Sequence, residues 1–125
     1  MAKRIYVIDT STYFTDHRAI NKFGIHDIVI PLKVLEEIDN HKKRQDTVGV
    51  NARGIIRTLD SLREKGNLHK GIRLGKGYGI VSVKSHDIML LPKDLDPSIP
   101  DHIIIATALT EKAANPNNFF VKIII

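Results

Sequence analysis

The sequence has no cysteine and no long apolar run, and its six histidines are scattered along the chain. Without cysteine, disulfides and thiolate chemistry are excluded, and an intracellular, cytoplasmic location is favoured. No apolar segment approaches the roughly 18 residues of a membrane-spanning helix, so we expect no membrane partner. The histidines lack the spacing of zinc ligands and fit no Ser-His-Asp arrangement, which argues against a zinc site and a serine hydrolase.

The composition as a whole is that of a soluble globular protein. The chain has 125 residues, of which 42% are hydrophobic and 26% charged, and its formal net charge is +5. This length allows a substantial core, and no repeat or linker divides it, so residues 1–125 are predicted to form a single domain. A basic domain favours polyanionic partners, with nucleic acid first among them.

One apolar run leads directly into a carboxylate near the start of the chain. Residues 5–8 are followed by Asp9 and then by three hydroxyl residues, Thr10, Ser11 and Thr12. A short uninterrupted apolar run is typical of a strand buried on both faces of a parallel sheet. Ligands of open α/β sheets gather at the carboxyl ends of such strands, which makes Asp9 a candidate site residue. The alternative is that Asp9 only caps the turn that follows.

Hydrophobic periodicity predicts that strands and helices alternate along the rest of the chain. The predicted helices cover residues 15–22, 51–65 and 101–114, with another beginning near residue 31, and the further predicted strands include 25–30 and 119–125. Short β-like pieces flank the glycines of residues 75–79, which we interpret as a hairpin or loop and not as a dinucleotide fingerprint. This alternation predicts an α/β fold with a mainly parallel central sheet.

Basic residues occupy two places where a structural and an RNA-contacting role compete. The cluster at residues 41–46 suits the exposed end of a helix, where basic side chains complement the helix dipole, but it also suits a polyanion-binding patch. Arg53 and Arg57 share one side of the predicted helix with Asp60 and Glu64 at i, i+3 and i+4 spacings, a pattern that usually indicates a salt-bridged solvent face. Contact of these two arginines with RNA is the alternative.

Two further acids are placed so that they can approach Asp9. In the helix that begins near residue 31, Glu37 lies at the margin of the apolar stripe and Glu36 nearly opposite it, while Asp39 flanks the other side and stays an alternative. Asp101 opens the most apolar helix, where it is either a site residue or a cap, because residues 98–101 match a capping box. Carboxylate oxygens suit Mg²⁺ or Mn²⁺, which can activate a water and stabilise a phosphodiester leaving group.

Four segments, taken together and in order, resemble the PIN domain, in the version that precedes an ATPase in PhoH-like proteins. The segments are Val7-Ile8-Asp9-Thr10-Ser11, residues 30–39, Gly49-Val50-Asn51-Ala52-Arg53, and residues 101–109. The resemblance covers nearly the whole chain. It implies a three-layer α/β/α nuclease that cleaves single-stranded RNA by metal-activated water, with Mg²⁺ or Mn²⁺ held by a cluster of acids.

Carried over by position, the family's first three acids correspond to Asp9, Glu37 and Asp101, and the hydroxyl after the first acid corresponds to Thr10. The resemblance thus assigns catalytic and metal-binding roles to these three acids. The chain has Ser11 where the family commonly has asparagine, and Thr10 and Ser11 become candidate substrate-binding residues. Asn51 and Arg53 match a motif of the PhoH-associated subgroup, near the site as substrate or structural residues, and we predict that they bind substrate.

The family pattern continues into a segment with a fourth acid, and this chain ends at Ile125 before that segment. We therefore expect either a metal-dependent endoribonuclease or a catalytically weak or inactive module that binds RNA or a protein partner. A homodimer is an expectation from the family's habit of dimerising. An ATPase or a regulatory protein is a further candidate partner.

Overall fold

The computed structural model describes residues 3–85, 93–94, 96, 98–114 and 119–124 of the chain. In chain order the elements within these ranges are β1 (Lys3–Ile8), α1 (Thr10–Thr15), a 3₁₀ helix (His17–Asn21), β2 (Asp27–Pro31), α2 (Leu32–His41), α3 (Thr47–Arg63), β3 (Ile72–Arg73), β4 (Ile80–Lys84), α4 (Pro100–Ala114) and β5 (Phe119–Ile124). None of the helices in this part of the chain has both the length and the apolar character needed to cross a bilayer.

The five strands form one mainly parallel sheet, as predicted. Their order is β3-β4-β2-β1-β5. β1 runs parallel to both β2 and β5, and β2 runs parallel to β4, while the short β3 pairs antiparallel with β4 at the side of the sheet. The four parallel strands therefore all end on the same side, which we call the carboxyl edge. β1 lies between β2 and β5, so Asp9 follows a central strand at that edge.

The apolar run of β1 forms the centre of the core. Val7 and Ile8 are fully buried, as is Ile30 of the neighbouring strand. Burying each such side chain contributes about 1.5–3 kcal/mol. Tyr6 packs against Phe23, with 4.7 Å between the ring centroids, and this contact holds the segment after the 3₁₀ helix against the sheet. The strand that leads to Asp9 is thus held in place by its buried side chains and by its pairing with β2 and β5.

Helices cover the two faces of the sheet. α1, the 3₁₀ helix, α2 and α3 contact one another, while α4 packs along β5, β1 and β2 and also contacts α2. The crossovers from β1 to β2 and from β2 to β4 move across the sheet in one direction, and the crossover through α4 moves back the other way. Because such crossovers are right-handed, α4 lies on the face opposite the first group, which gives three layers.

The helix predicted at residues 15–22 is wrong in its position. α1 begins at Thr10, directly after Asp9, and ends at Thr15; residues 17–21 form a 3₁₀ helix instead. Asp16 caps that second helix, because its carboxylate accepts a hydrogen bond of 2.9 Å from the backbone N–H of Arg18. The hydroxyl residues that open α1 have weak helix propensity, so periodicity alone missed a turn that is stabilised by the burial of Tyr13.

The start of α3 also differs from the prediction, whereas the junction of β2 and α2 lies near Pro31 as predicted. α3 begins at Thr47 and not at residue 51, because Asp46 caps it by accepting a hydrogen bond of 3.2 Å from the N–H of Gly49. Pro31 ends β2 and precedes the first residue of α2. The hairpin prediction for residues 75–79 is confirmed: β3 and β4 flank it, and Gly77 has a φ of 82°, a left-handed conformation that favours glycine.

Candidate metal and nuclease site

Asp9 is held in a fixed orientation at the carboxyl edge. It is the N-cap of α1: its Oδ1 accepts a hydrogen bond of 2.8 Å from the N–H of Thr10, and its Oδ2 accepts one of 2.9 Å from the hydroxyl of Ser11. The backbone N–H of Asp9 donates to the carbonyl of Ile124 on β5, at 2.8 Å. Asp9 therefore caps a helix, which is the structural interpretation of this residue. Its carboxylate also lies at the carboxyl end of a central strand, which is the position expected of a site residue. Each oxygen accepts one hydrogen bond and retains a lone pair for a cation.

Two buried hydroxyls lie on α1, the helix that begins immediately after Asp9. Thr10 is 4% exposed and Tyr13 fully buried, and neither hydroxyl oxygen has a hydrogen-bond partner among the residues that the structure describes. Their i, i+3 spacing puts them on the same side of the helix. Burial raises the pKa of Tyr13 far above its ordinary value, so this hydroxyl stays protonated. Buried polar groups in folded proteins are nearly always hydrogen-bonded, so these two hydroxyls are exceptions among the described residues.

Glu37 faces inward from α2, which starts at the carboxyl edge where β2 ends. It is half-buried, and its Oε1 is shielded from solvent. The neighbouring acids of the same helix point outward and pair with lysines. Glu36 lies 3.7 Å from Lys33, and Asp39 lies 2.8 Å from Lys42. The structure therefore distinguishes Glu37 from Asp39, the alternative that helix periodicity left open, and agrees with the outward direction expected for Glu36.

Asp101 is the second residue of α4, and its side chain lies outside what the structure describes. The backbone nevertheless locates it along the fold. α4 has 15 residues and leads to β5, which starts at the opposite side of the sheet from the carboxyl edge. A helix of that length spans about 22 Å, about the length of a six-residue strand, so its first turn lies at the carboxyl edge.

The donor chemistry of these residues fits a hard divalent cation. Asp9, Glu37 and Asp101 carry carboxylates, the ligands that Mg²⁺ and Mn²⁺ prefer. The described residues contain no cluster of three acids, histidines or cysteines close enough to share a metal ion, and the side chain of Asp101 is not among them. Their joint role as metal ligands thus stays a prediction, to which the structure adds the fixed carboxylate of Asp9 and the inward face of Glu37.

Asn51 joins α3 to the end of α1. It is 7% exposed, its Nδ2 donates to the carbonyl of Phe14 at 2.7 Å, and its Oδ1 accepts from the N–H of His17 at 3.2 Å. The amide thus bridges two backbone groups more than 30 residues away in sequence. These contacts are structural, and a substrate-binding role for Asn51 stays a prediction that they do not support.

Arg53 fastens the loop between α2 and α3. Its Nη1 donates to the carbonyls of Lys42 and Arg44, at 2.7 and 2.8 Å. The carbonyl of Arg44 also approaches Gly49 so closely that a Cβ there would lie 1.8 Å from its oxygen. We call Gly49, Asn51 and Arg53 the α3 anchor. The prediction that Arg53 belongs to a salt-bridged helix face is wrong, because its guanidinium donates to two loop carbonyls instead. Substrate binding by Arg53 stays a prediction.

The basic cluster at residues 41–46 forms the end of α2 and an exposed loop, as one interpretation predicted. Two of its cations are paired with acids: Lys42 with Asp39, and Arg44 with Asp46. These pairs reduce the positive potential that the cluster offers to a polyanion. Asp46 and Gly49 are structural residues that sequence reasoning missed, although Asp is among the residues preferred at a helix N-cap and so could have indicated the start at Thr47.

A family model and three relatives agree on the family to which the chain is similar. A model of the PIN domain family matches residues 6–124. Protein PhoH2 of Bacillus subtilis is 45% identical over 74 residues, which are 59% of this chain and 17% of that protein. The PhoH2 proteins of Thermobispora bispora and Mycolicibacterium smegmatis are 33% and 32% identical over 106 and 110 residues, or 84% and 86% of this chain. The chain matches only 24% and 25% of those two relatives' lengths. No solved structure matches.

Proposed function

The chain belongs to the PIN domain family, and on that basis we propose that it is a metal-dependent endoribonuclease that cuts single-stranded RNA. Nuclease function is general to the family. The observation that supports it here is the fixed carboxylate of Asp9 at the carboxyl edge, with α2 and α4 starting at the same edge. The net charge of +5 supports a polyanionic substrate, because lysines and arginines attract phosphates and release counterions from them.

In this proposal Asp9, Glu37 and Asp101 hold Mg²⁺ or Mn²⁺. When bound, the ion lowers the pKa of a water and neutralises charge on the phosphodiester. The chain's own contribution is orientation: the Thr10 N–H and the Ser11 hydroxyl each hold one oxygen of Asp9. A carboxylate that is oriented before the substrate arrives needs no reorganisation during the reaction. Ser11 stands where the family commonly has asparagine, and its hydroxyl performs this holding role.

The test is cleavage of an end-labelled single-stranded RNA with Mn²⁺, with Mg²⁺ and with EDTA. We expect cutting with either metal and none with EDTA. Asp9→Asn should lower the rate on the order of a thousandfold, because it removes charge at the reacting centre. Asparagine is as good an N-cap as aspartate, so α1 and the fold should be kept, which circular dichroism checks. Asp39→Asn is the matched control, since Asp39 is exposed and paired with Lys42, and its rate should stay within about twofold of the wild type.

Unchanged cutting by Asp9→Asn would refute the assignment of the site. If the wild type does not cut the RNA but still binds it, the protein is an inactive RNA-binding module and not a nuclease. A homodimer and an ATPase or regulatory partner stay predictions, because no contact between the described residues bears on them.

A further inference from the structure

A groove lies between α1 and the segment of the 3₁₀ helix, next to Asp9. We call it the α1 groove. Its volume is about 370 Å³, within the range of roughly 300–1,000 Å³ that small-ligand sites occupy. Three hydroxyl residues of α1 line one side, and Asp16 with three residues of the following segment lines the other: Ser11, Thr12, Thr15, Asp16, Ala19, Lys22 and Phe23.

The groove is continuous with the candidate nuclease site through Ser11. This residue lines the groove and also donates its hydroxyl to Oδ2 of Asp9, at 2.9 Å. A strand of RNA whose phosphate lies at Asp9 therefore has the groove beside it on the α1 side. The next nucleotide of the strand is the part of the substrate closest to it.

The lining suits the uncharged part of a nucleotide. Phe23 is half-buried and fixed against Tyr6, so it offers a rigid aromatic wall for a base, and stacking of this kind is tolerant of sequence. The side chains of Thr12 and Thr15 line the groove three residues apart on α1. The hydroxyl of Thr15 donates to the carbonyl of Ser11 at 2.9 Å and keeps its acceptor capacity, so it can accept a hydrogen bond from a base or a ribose, while that of Thr12 can donate or accept one. Lys22 is the cation among the lining residues, and Asp16 holds its Nζ at 3.2 Å. Because this charge is already paired, the groove favours a base over a phosphate.

We propose that the α1 groove binds the base and ribose of the RNA nucleotide next to the scissile phosphate. This inference rests on the proposed function. It gives Thr12, Thr15 and Phe23 a role in positioning the strand and in the choice of cutting position.

The direct test fills the groove without touching Asp9. Thr15 is exposed, so Thr15→Trp should place a large side chain in the groove while the core stays intact. Ser61→Trp adds the same side chain at an exposed position of α3 and is the matched control. Binding of a fluorescein-labelled single-stranded RNA is measured by anisotropy in EDTA. We expect Thr15→Trp to weaken binding about tenfold, as the loss of one stacked base does, and Ser61→Trp to leave it unchanged.

A second measurement does not depend on a bulky variant. Uridine and adenosine monophosphate are titrated into the wild-type protein in EDTA, and backbone amide shifts are followed by NMR. Shifts centred on residues 11–23 support the groove; shifts confined to other residues overturn it. The double variant Thr12→Val with Thr15→Val removes the hydroxyls at nearly constant volume, and a change in its cut positions on a mixed-sequence RNA supports the proposal further.

The outcomes separate this proposal from the nuclease assignment. If the wild type does not cleave but Thr15→Trp selectively loses RNA binding, the nuclease assignment fails and the groove stands. If the wild type cleaves with metal, and Thr15→Trp matches Ser61→Trp in both affinity and cut positions, the groove proposal is wrong and the nuclease assignment stands.

Discussion

α1 and the α3 anchor differ in how their buried polar groups are satisfied. In the α3 anchor, the amide of Asn51 bonds two backbone groups, at Phe14 of α1 and at His17 just after it, and the guanidinium of Arg53 donates to two carbonyls of the loop between α2 and α3. Within α1, the hydroxyls of Thr10 and Tyr13 are buried with no hydrogen-bond partner among the described residues. Satisfied polar groups stabilise a fold, whereas buried groups without a partner cost stability unless a water or another ligand satisfies them. The family motif at residues 49–53 is therefore structural in its contacts, although it resembles a site motif.

The largest expected effect comes from the closest approach in the α3 anchor. A Cβ at residue 49 would lie 1.8 Å from the backbone oxygen of Arg44, so Gly49→Ala must displace the loop. We expect the free energy of unfolding to fall on the order of 3 kcal/mol, measured by urea denaturation. Gly66→Ala is the matched control, because a Cβ there would meet Ile72 at an ordinary 3.6 Å. Equal free energies of unfolding for the two variants would show that the loop between α2 and α3 can move to accommodate the Cβ without loss of stability.

Asn51→Ala should have the next largest effect. It removes two hydrogen bonds and leaves the carbonyl of Phe14 and the N–H of His17 without their side-chain partner, which should lower the free energy of unfolding by about 2–3 kcal/mol. The exposed Asn40→Ala should change it by less than about 0.5 kcal/mol. Affinity for single-stranded RNA is measured under conditions where both variants are folded. A purely structural Asn51 predicts equal affinities, and a selective loss in Asn51→Ala would restore the substrate-binding role.

The sequence predicted the site better where local periodicity decides the geometry. The run before Asp9 specified a buried central strand, and the helix repeat separated Glu37 from Glu36. Contacts between distant segments carry no such local signal. Nothing near Asn51 in the sequence indicates that its amide meets Phe14 and His17, and nothing near Arg53 indicates that two loop carbonyls turn toward it. Helix starts failed for a related reason, since Asp9, Asp16 and Asp46 each cap a helix that periodicity placed later or elsewhere.

A smaller effect separates two tyrosines that differ in hydrogen bonding. The hydroxyl of Tyr6 accepts a bond of 3.2 Å from Arg4, whereas that of Tyr13 has no partner in the described part of the chain. Tyr6→Phe should cost about 0.5–1 kcal/mol, and Tyr13→Phe should be neutral or stabilise by up to about 1 kcal/mol. Both are measured by urea denaturation. A loss of more than about 1 kcal/mol in Tyr13→Phe would mean that a water binds this hydroxyl in the folded protein, and that the buried polar groups of α1 are satisfied as fully as those of the α3 anchor.

The smallest effect concerns Asp16, which joins α1 to the 3₁₀ helix through contacts that are open to solvent. The N–H of Arg18 and then the ammonium of Lys22 lower the pKa of Asp16 to about 2. Because the folded-state pKa lies below the unfolded value of about 3.9, the charged form favours folding. Its contribution is complete above about pH 4 and is lost as the pH falls toward 2. The wild type should therefore lose stability relative to Asp16→Asn across that interval, with the carboxyl carbon of Asp16 titrating near pH 2 by NMR. A titration near pH 4 would mean that solvent screens the contacts of Asp16 with Arg18 and Lys22. The ammonium of Lys22 would then be available to a phosphate, and the α1 groove would carry a stronger positive potential than the ion pair suggests.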